Sequence, residues 1–251
     1  MKRILIASAV ALAAGGQALA ADLPPPAPMP RAPATYVPIV APPYNWTGFY
    51  IGGNLGGAFT NGNFNSNIAG ATVTTTSSTS FIGGGQVGAN YQFWGGVVVG
   101  AEAMFDWLPN TKNTVTLNAA GAPIASATIN NRWLTTATGK LGYGWDRVLL
   151  YGKGGGAWVG ASNSGITTIP GGVPVALSGP SNIFGWTAGI GVEWAFWGNW
   201  SARAEYDYIG LNNVTYTTVG GGGIPAGVAV GTSSRNIQLV TAGVNYKFGW
   251  W

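Results

Sequence analysis

The chain has 251 residues, of which 47% are hydrophobic and only 7% are charged, with 42 glycines and neither cysteine nor histidine. An average soluble domain carries about 25% charged residues, so this chain is too poor in charge for an ordinary soluble surface. Its 11 basic residues form no basic run, which gives nucleic-acid binding no support, and the lack of cysteine excludes a disulfide framework.

Residues 1–20 have the pattern of a secretory signal peptide, with a basic start, an apolar run over 4–14 and Ala-Leu-Ala at 18–20. Residues 21–43 hold nine of the 15 prolines. Since proline disrupts helices and strand ladders, this segment is predicted to be a disordered linker, either a plain spacer or a periplasmic tether. The rest of the chain has no run of about 18 apolar residues, so no transmembrane helix is predicted.

From residue 44 onward, apolar residues alternate with glycine or polar residues, which is the period of a β-strand. Eight such segments are predicted, covering residues 44–59, 81–93, 97–107, 131–145, 148–160, 182–196, 200–212 and 235–248. Three short turns join them in pairs, and four long loops rich in Gly, Ser, Thr and Asn lie at 60–79, 109–130, 161–181 and 213–233. The six remaining prolines all fall in these loops, as expected because proline removes a ladder hydrogen bond.

Short turns alternating with long loops are typical of bacterial outer-membrane barrels. Residues 44–251 are therefore predicted to be all-β, folding as an eight-stranded antiparallel transmembrane β-barrel in the cell outer membrane. The long loops are expected to be extracellular, and the linker and the C-terminus periplasmic. A soluble β-sandwich is the competing fold, but rows of Trp and Val on one strand face argue against it.

Most charged residues lie on the strand face opposite the apolar one. A charge facing lipid near the bilayer midplane costs about 2–4 kcal/mol, so the charged face is predicted to line the lumen. Eight strands enclose only enough room for their own side chains, and the balanced charges are expected to pair and leave no open pore. An ion or proton pathway is the alternative. The predicted lumen charge network is Glu102, Asp106, Arg132, Lys140, Lys153, Glu193, Arg203, Glu205, Asp207 and Lys247.

Tryptophans cluster towards the two ends of the predicted strands, as in the aromatic belts that flank the apolar band of a membrane barrel. A carbohydrate-stacking platform is the competing interpretation. The belts are predicted to contain Trp46, Trp94, Trp145, Trp197, Trp200 and Trp250 at the short-turn end and Trp107, Trp133, Trp158 and Trp186 at the loop end.

Two segments resemble a known family, Asn45-Trp-Thr-Gly-Phe-Tyr-Ile-Gly-Gly-Asn54 and Gly243-Val-Asn-Tyr-Lys-Phe-Gly-Trp-Trp251. They are similar to the small OmpA-like β-barrels of alphaproteobacteria, the outer-membrane immunogenic proteins of the porin family. The resemblance covers residues 44–251 and implies an abundant surface antigen; a few related proteins bind haemin. It also implies an assembly signal for the barrel-assembly machinery, formed by Gly243, Tyr246, Phe248 and Trp251, although this chain ends in Gly-Trp-Trp rather than a single Phe.

Hydrolytic sites on such barrels generally need a histidine base, so this chain is not expected to be an enzyme. No cofactor or metal is predicted either, since haemin would need a Tyr or Met ligand here. Gly83-Gly-Gly-Gln-Val-Gly88 matches a dinucleotide-binding pattern, but it lies in a predicted strand with no helix after it.

The leading hypothesis is a barrel with a structural or surface-interaction role in envelope integrity, adhesion or antigenicity, and the alternative is a small porin. The expected partners are outer-membrane lipids, the assembly machinery and a host or environmental ligand of the loops.

Overall fold

The structure is a computed structural model that describes residues 44–66, 72–75, 77–119, 122–168, 174–220 and 226–249. The predicted signal peptide, the predicted linker, Trp250 and Trp251 lie outside the described residues. The strands are β1 (Gly48–Ser66), β2 (Thr72–Thr75), β3 (Ser78–Gln92), β4 (Val97–Ala119), β5 (Ala122–Trp145), β6 (Val148–Thr168), β7 (Pro174–Ser178), β8 (Asn182–Trp197), β9 (Trp200–Thr218) and β10 (Ala229–Phe248). A 3-10 turn, Trp94–Gly96, joins β3 to β4.

The eight long strands form a closed barrel in which every neighbouring pair is antiparallel. Around the barrel the order is β1, β3, β4, β5, β6, β8, β9 and β10. Strand β10 then pairs with β1, from Phe49 opposite Phe248 to Ser66 opposite Gly231, and this pairing closes the sheet. The prediction of an eight-stranded antiparallel barrel is thereby confirmed, and closure leaves the long strands without a free edge.

Side chains alternate between the two faces of the wall as the sequence period requires. On β1, Phe49, Ile51 and Leu55 are each more than half exposed on the outer face, whereas Tyr50 and Asn54 are buried inside. Strand β10 repeats the pattern, with inward Ile237, Leu239 and Thr241 buried between outward residues that are half-buried or exposed. The predicted assignment of the two faces is therefore right along these strands.

The long strands extend well into segments that were predicted to be loops, so those loop boundaries are wrong. Strands β4 and β5 continue pairing as far as Ala119 opposite Ala122. Pro109 and Pro123 thus lie within strand ranges, but the pairing register is interrupted between Trp107 and Thr111 and shifts again beside Asn118. Such irregularities are where a strand tolerates proline, because the missing N–H is not needed there.

The three short turns lie where the sequence predicted them. Trp145 pairs with Val148 and Trp197 pairs with Trp200, so each of these hairpins has a two-residue turn. Asp146 has φ 47° and Gly198 has φ 49°. Positive φ at the first turn residue matches the right-handed twist of the flanking strands. The end of the barrel that carries these turns is called the turn end below, and the opposite end the loop end.

Among the described residues, no helix is long and apolar enough to span a membrane.

Candidate functional site

The interior contains a central ionic cluster of Tyr50, Glu102, Lys140, Tyr151, Lys153, Arg203, Glu205 and Asp207. Its hub is Arg203, whose Nη1 donates to Glu102 Oε2 at 2.6 Å and to Glu205 Oε1 at 3.1 Å. Lys140 Nζ also donates to Glu102 Oε2, at 2.7 Å. The two glutamates are therefore bridged across the barrel by one guanidinium nitrogen.

One further cation, a third carboxylate and two phenols complete the cluster. Lys153 Nζ lies 2.8 Å from Glu205 Oε2 and 2.9 Å from Asp207 Oδ2. Tyr50 donates to Glu102 Oε2 at 2.8 Å, and the hydroxyl of Tyr151 donates to Glu205. Three carboxylates thus face three cations in direct contact, with side chains at most 3% exposed. Such a cross-linked set has low tolerance for loss of one member, because a buried charge would be left uncompensated.

A chain of neutral amides continues the polar layer across strands β1, β3, β10 and β8. Asn54 Nδ2 donates to Gln86 Oε1 at 3.0 Å, and Gln86 Nε2 donates to Asn245 Oδ1 at 2.7 Å. Asn245 Nδ2 then donates to Glu193 Oε1 at 2.8 Å, and the hydroxyl of Ser201 donates to the same carboxylate. Buried polar groups need such partners, and this chain ties four strands together through the lumen.

An apolar loop-end layer fills the interior on the loop side of the ionic cluster. Every barrel strand contributes to it, and its most deeply buried members include Ile82, Leu134 and Ile237, each fully buried. The layer consists of Ala58, Phe64, Ile82, Met104, Leu108, Leu134, Ala157, Val159, Ile183, Ile209, Leu211, Val214, Tyr216, Ile237 and Leu239. Met104 Sδ lies 3.6 Å from Arg203 Nη2, so the two layers are in direct contact.

This layer was not predicted from the sequence, although a signal for it was present. Leu134 has the same strand parity as Lys140, and Ile237 and Leu239 have that of Lys247, so all three fall on the predicted inward face. Large aliphatic side chains at inward positions near the loop end of each strand are the signal, since a small barrel fills its interior with its own side chains.

A second apolar group, the turn-end cluster, lies on the other side of the ionic cluster. It comprises Trp46, Val98, Leu149, Tyr151 and Ala195, with Tyr44 packed against it. The rings of Tyr44 and Trp46 meet edge to face at 4.8 Å. Burial, and secondarily the nearby Glu193 carboxylate, raises the pKa of Tyr44 to about 12, so this phenol is neutral at physiological pH.

The structure brings together six of the ten predicted lumen charges, Glu102, Lys140, Lys153, Arg203, Glu205 and Asp207. Asp106 and Glu193 are also buried in the interior but lie outside the six ion-paired charges. Lys247 lies at the turn end instead, where its ammonium donates to the Asn45 carbonyl and sits 4.1 Å from the centre of the Tyr44 ring.

The prediction for Arg132 is wrong, because its side chain is exposed on the outer wall. The pairing of β5 with β6 shifts register here: Asn131 lies opposite Ala161, and Trp133 opposite Gly160. This bulge inserts one extra residue, so the strict alternation that placed Arg132 with Leu134 fails by one position. Asn131 and Leu134 are both buried, with Arg132 and Trp133 between them.

Most of the predicted belt tryptophans lie on the outer wall or at its turns. Those at the turn end, Trp94, Trp145, Trp197 and Trp200, are exposed, as are Trp107, Trp158 and Trp186 at the loop end; Trp133 is half-buried. The prediction that Trp46 belongs to the outer aromatic belt is wrong, because its side chain is only 2% exposed and belongs to the turn-end cluster. It precedes β1, so strand alternation does not govern it; its backbone N–H donates to Gln92 Oε1 at 2.8 Å and holds the segment across the turn end.

Three residues of the predicted assembly signal lie on β10, whereas Trp251 is outside the described residues. Tyr246 and Phe248 share the outer face, with ring centroids 5.1 Å apart, and Tyr246 also meets Trp200 of β9 at 5.0 Å. Gly243 faces inward, where a side chain would crowd the Gly53 carbonyl at 2.7 Å. The signal itself stays a prediction.

An apolar outer wall, an ionic interior and aromatics at both ends together define an integral outer-membrane β-barrel. Comparison with known proteins agrees. The chain belongs to the outer membrane protein beta-barrel domain family, whose model matches residues 7–248. It is 31% identical over 260 residues to the 31 kDa outer-membrane immunogenic proteins of Brucella melitensis biotype 1 and Brucella suis biovar 1, covering 99% of this chain and 100% of each relative. The predicted resemblance is thus confirmed.

Among solved structures, the fold is similar to that of the outer membrane protein OprG from Pseudomonas aeruginosa. The TM-score is 0.51, with 11% sequence identity, and the match covers 82% of this chain and 98% of OprG. At that identity the likeness shows the shared fold alone.

Proposed function

We propose that this outer-membrane barrel has a sealed interior and acts at the cell surface, in envelope integrity, adhesion or antigen display, rather than as a channel. The observation that carries the proposal is the filling of the lumen at three levels. A water-filled path would have to cross the loop-end layer, the ionic cluster and the turn-end cluster in series. Protein interiors packed with apolar side chains contain few voids larger than a water molecule.

Charge in the lumen supports the same conclusion. A pore that conducts ions needs mobile charges and water, whereas each carboxylate of Glu102, Glu205 and Asp207 contacts a cation at less than 3 Å. These contacts hold the side chains to one another across the barrel. The charges therefore serve as internal cross-links, which leaves the barrel surface as the place of function.

Single-channel recording in planar bilayers tests the sealed interior. The wild-type barrel, refolded in detergent, is expected to insert without steady openings. A combined variant, Trp46→Ala with Leu134→Ser and Ile237→Ser, removes apolar packing from both ends and is expected to raise the frequency of openings. The matched control, Leu141→Ser with Val240→Ser, changes outward residues of the same two strands, β5 and β10. Steady wild-type openings would overturn the proposal and favour the small porin.

Surface action also requires that the loop end face outward and the turn end face the periplasm, as in other bacterial barrels with short turns and long loops. The Brucella relatives are named outer-membrane immunogenic proteins, and exposure of the loop end at the cell surface is proposed here. Outer-membrane lipids, the barrel-assembly machinery and a ligand of the loops remain the proposed partners.

Cysteine labelling tests this orientation, since the chain has no cysteine of its own. Ala226→Cys places a thiol in the exposed turn between β9 and β10, and Arg147→Cys places one at an exposed turn-end position. A membrane-impermeant maleimide applied to intact cells is expected to label Ala226→Cys and not Arg147→Cys, and to label both after lysis. The reverse pattern on intact cells would contradict the orientation.

A further inference from the structure

A polar pocket interrupts the outer wall at the loop end, where strands β8, β9, β10 and β1 run side by side. One row of paired residues crosses it, from Trp186 through Gly210 and Asn236 to Asn61. Its volume is about 290 Å³. The wall pocket is defined here by its side chains Asn61, Asn63, Trp186, Tyr208, Ser234 and Asn236.

One side of the wall pocket is an aromatic surface held in place by a glycine. A Cβ on Gly210 would lie 2.6 Å from Trp186 Nε1 and 2.7 Å from its Cε2. Only glycine therefore lets the indole lie against the backbone of β9. The indole and the Tyr208 ring have centroids 5.5 Å apart, so together they form a continuous apolar face.

The other side of the wall pocket is lined with neutral amides. Asn236 Nδ2 donates to the Tyr208 hydroxyl at 2.9 Å. Its Oδ1 is buried and has no hydrogen-bond partner among the described residues. Asn61 and Asn63 are exposed on the neighbouring strand. A buried polar atom without a partner is unfavourable, so a small rotation of this amide that presents the acceptor to a ligand donor would gain a hydrogen bond.

The side chains that face into the wall pocket are all neutral. Arg235 borders it, but its side chain is buried in the barrel interior, where Nη2 lies 3.3 Å from the Tyr216 hydroxyl. The side chains that face outward carry hydroxyl, amide, indole and phenol groups only. A phosphate or carboxylate ligand would meet no cation here, whereas a polyol would meet both donors and acceptors.

We propose that the wall pocket binds a neutral sugar ring, with the aromatic face stacking against the ring and the amides bonding its hydroxyls. Trp186 belongs to the loop-end tryptophans, which lie at the level of lipid headgroups in a barrel of this class. The sugar headgroup of a glycolipid in the surrounding leaflet is therefore the source that reaches the pocket directly. This inference goes beyond the proposed function and does not depend on it, because a conducting barrel would keep the same outer wall.

Calorimetric titration of the refolded full chain in mixed micelles tests the proposal. The probes are a neutral hexosyl diacylglycerol, the same diacylglycerol without sugar, and the free hexose. The glycolipid is expected to bind more tightly than the sugar-free lipid. Loss of one neutral hydrogen bond in Asn236→Ala is expected to weaken glycolipid binding about three- to tenfold, and loss of the stacking face in Trp186→Ala about tenfold.

Matched controls separate the pocket from the rest of the wall. Trp158→Ala removes another outward loop-end tryptophan, and Gln238→Ala removes another amide of β10; both are expected to bind the glycolipid as wild type does. Heat-modifiable mobility on SDS gels verifies that each variant folds, and Trp186→Leu, which keeps an apolar side chain without the aromatic face, replaces Trp186→Ala if the latter does not. Free hexose binding with the same dependence on Trp186 and Asn236 would support the sugar site with a soluble ligand. Equal binding of the two lipids, no binding, or unchanged affinity in both pocket variants would overturn the proposal.

Discussion

Arg203→Met is the sharpest test of the central ionic cluster, because Arg203 contacts two buried glutamates at once. The substitution keeps a long apolar stem and removes the guanidinium bonds to Glu102 and Glu205, at 2.6 and 3.1 Å. Each hydrogen bond to a charged group contributes about 1.5–3 kcal/mol, and breaking a buried ion pair costs about 3–5 kcal/mol. Glu102 keeps Lys140 at 2.7 Å. The expected loss of unfolding free energy is therefore near the lower end of the range for a broken buried ion pair, about 3 kcal/mol.

Urea unfolding of protein refolded into lipid vesicles, followed by heat-modifiable mobility, measures this loss. Glu102→Gln in the same chain as Arg203→Met restores equal numbers of ion-paired acids and bases, so the double variant is expected to regain about 1–2 kcal/mol over the single one. Arg132→Met is the matched control: an exposed arginine should change stability by less than about 0.5 kcal/mol. Equal losses for Arg203→Met and Arg132→Met, or strict additivity in the double variant, would refute the network.

The face assignments could be predicted from the sequence because they depend only on a period of two. Glu102, Lys153 and Arg203 have opposite parity to the tryptophan of their own strand, which is Trp107, Trp158 and Trp200 respectively, and only one of those faces can meet lipid. No knowledge of register was needed to place these charges inside. The closing strand β10 was predictable for the same reason.

Arg132 and Trp46 show where that reasoning stops. A bulge shifts parity by one residue, and the Asn131-Arg-Trp133 segment carries no glycine or proline that would mark it. Trp46 lies before the first strand, so its position is decided by contacts across the turn end rather than by alternation. Both misplacements follow from tertiary contacts that a local period cannot represent.

Strand lengths were underestimated for a different reason. The strands were predicted from their apolar residues, whereas the hydrogen-bond ladder continues through the polar segments 60–66 and 111–119. Ladder bonds are made by the backbone, so the ladder needs no apolar side chain, only partners on both sides. The apolar band therefore indicates the part of the wall that faces lipid, and not the full length of the barrel.

Two substitutions test close packing and the seal. Gly160→Ala would place a Cβ against the Trp133 indole and is expected to cost about 1–3 kcal/mol in the same urea assay, whereas Gly139→Ala, whose Cβ would have 4.0 Å of clearance, should be nearly neutral. Trp46→Ala is expected to cost about 3–5 kcal/mol, because a large buried ring is lost from the turn-end cluster. It should nevertheless stay silent in bilayer recordings, since the loop-end layer still closes the lumen. Steady openings of Trp46→Ala would instead mean that the turn-end cluster is the only seal.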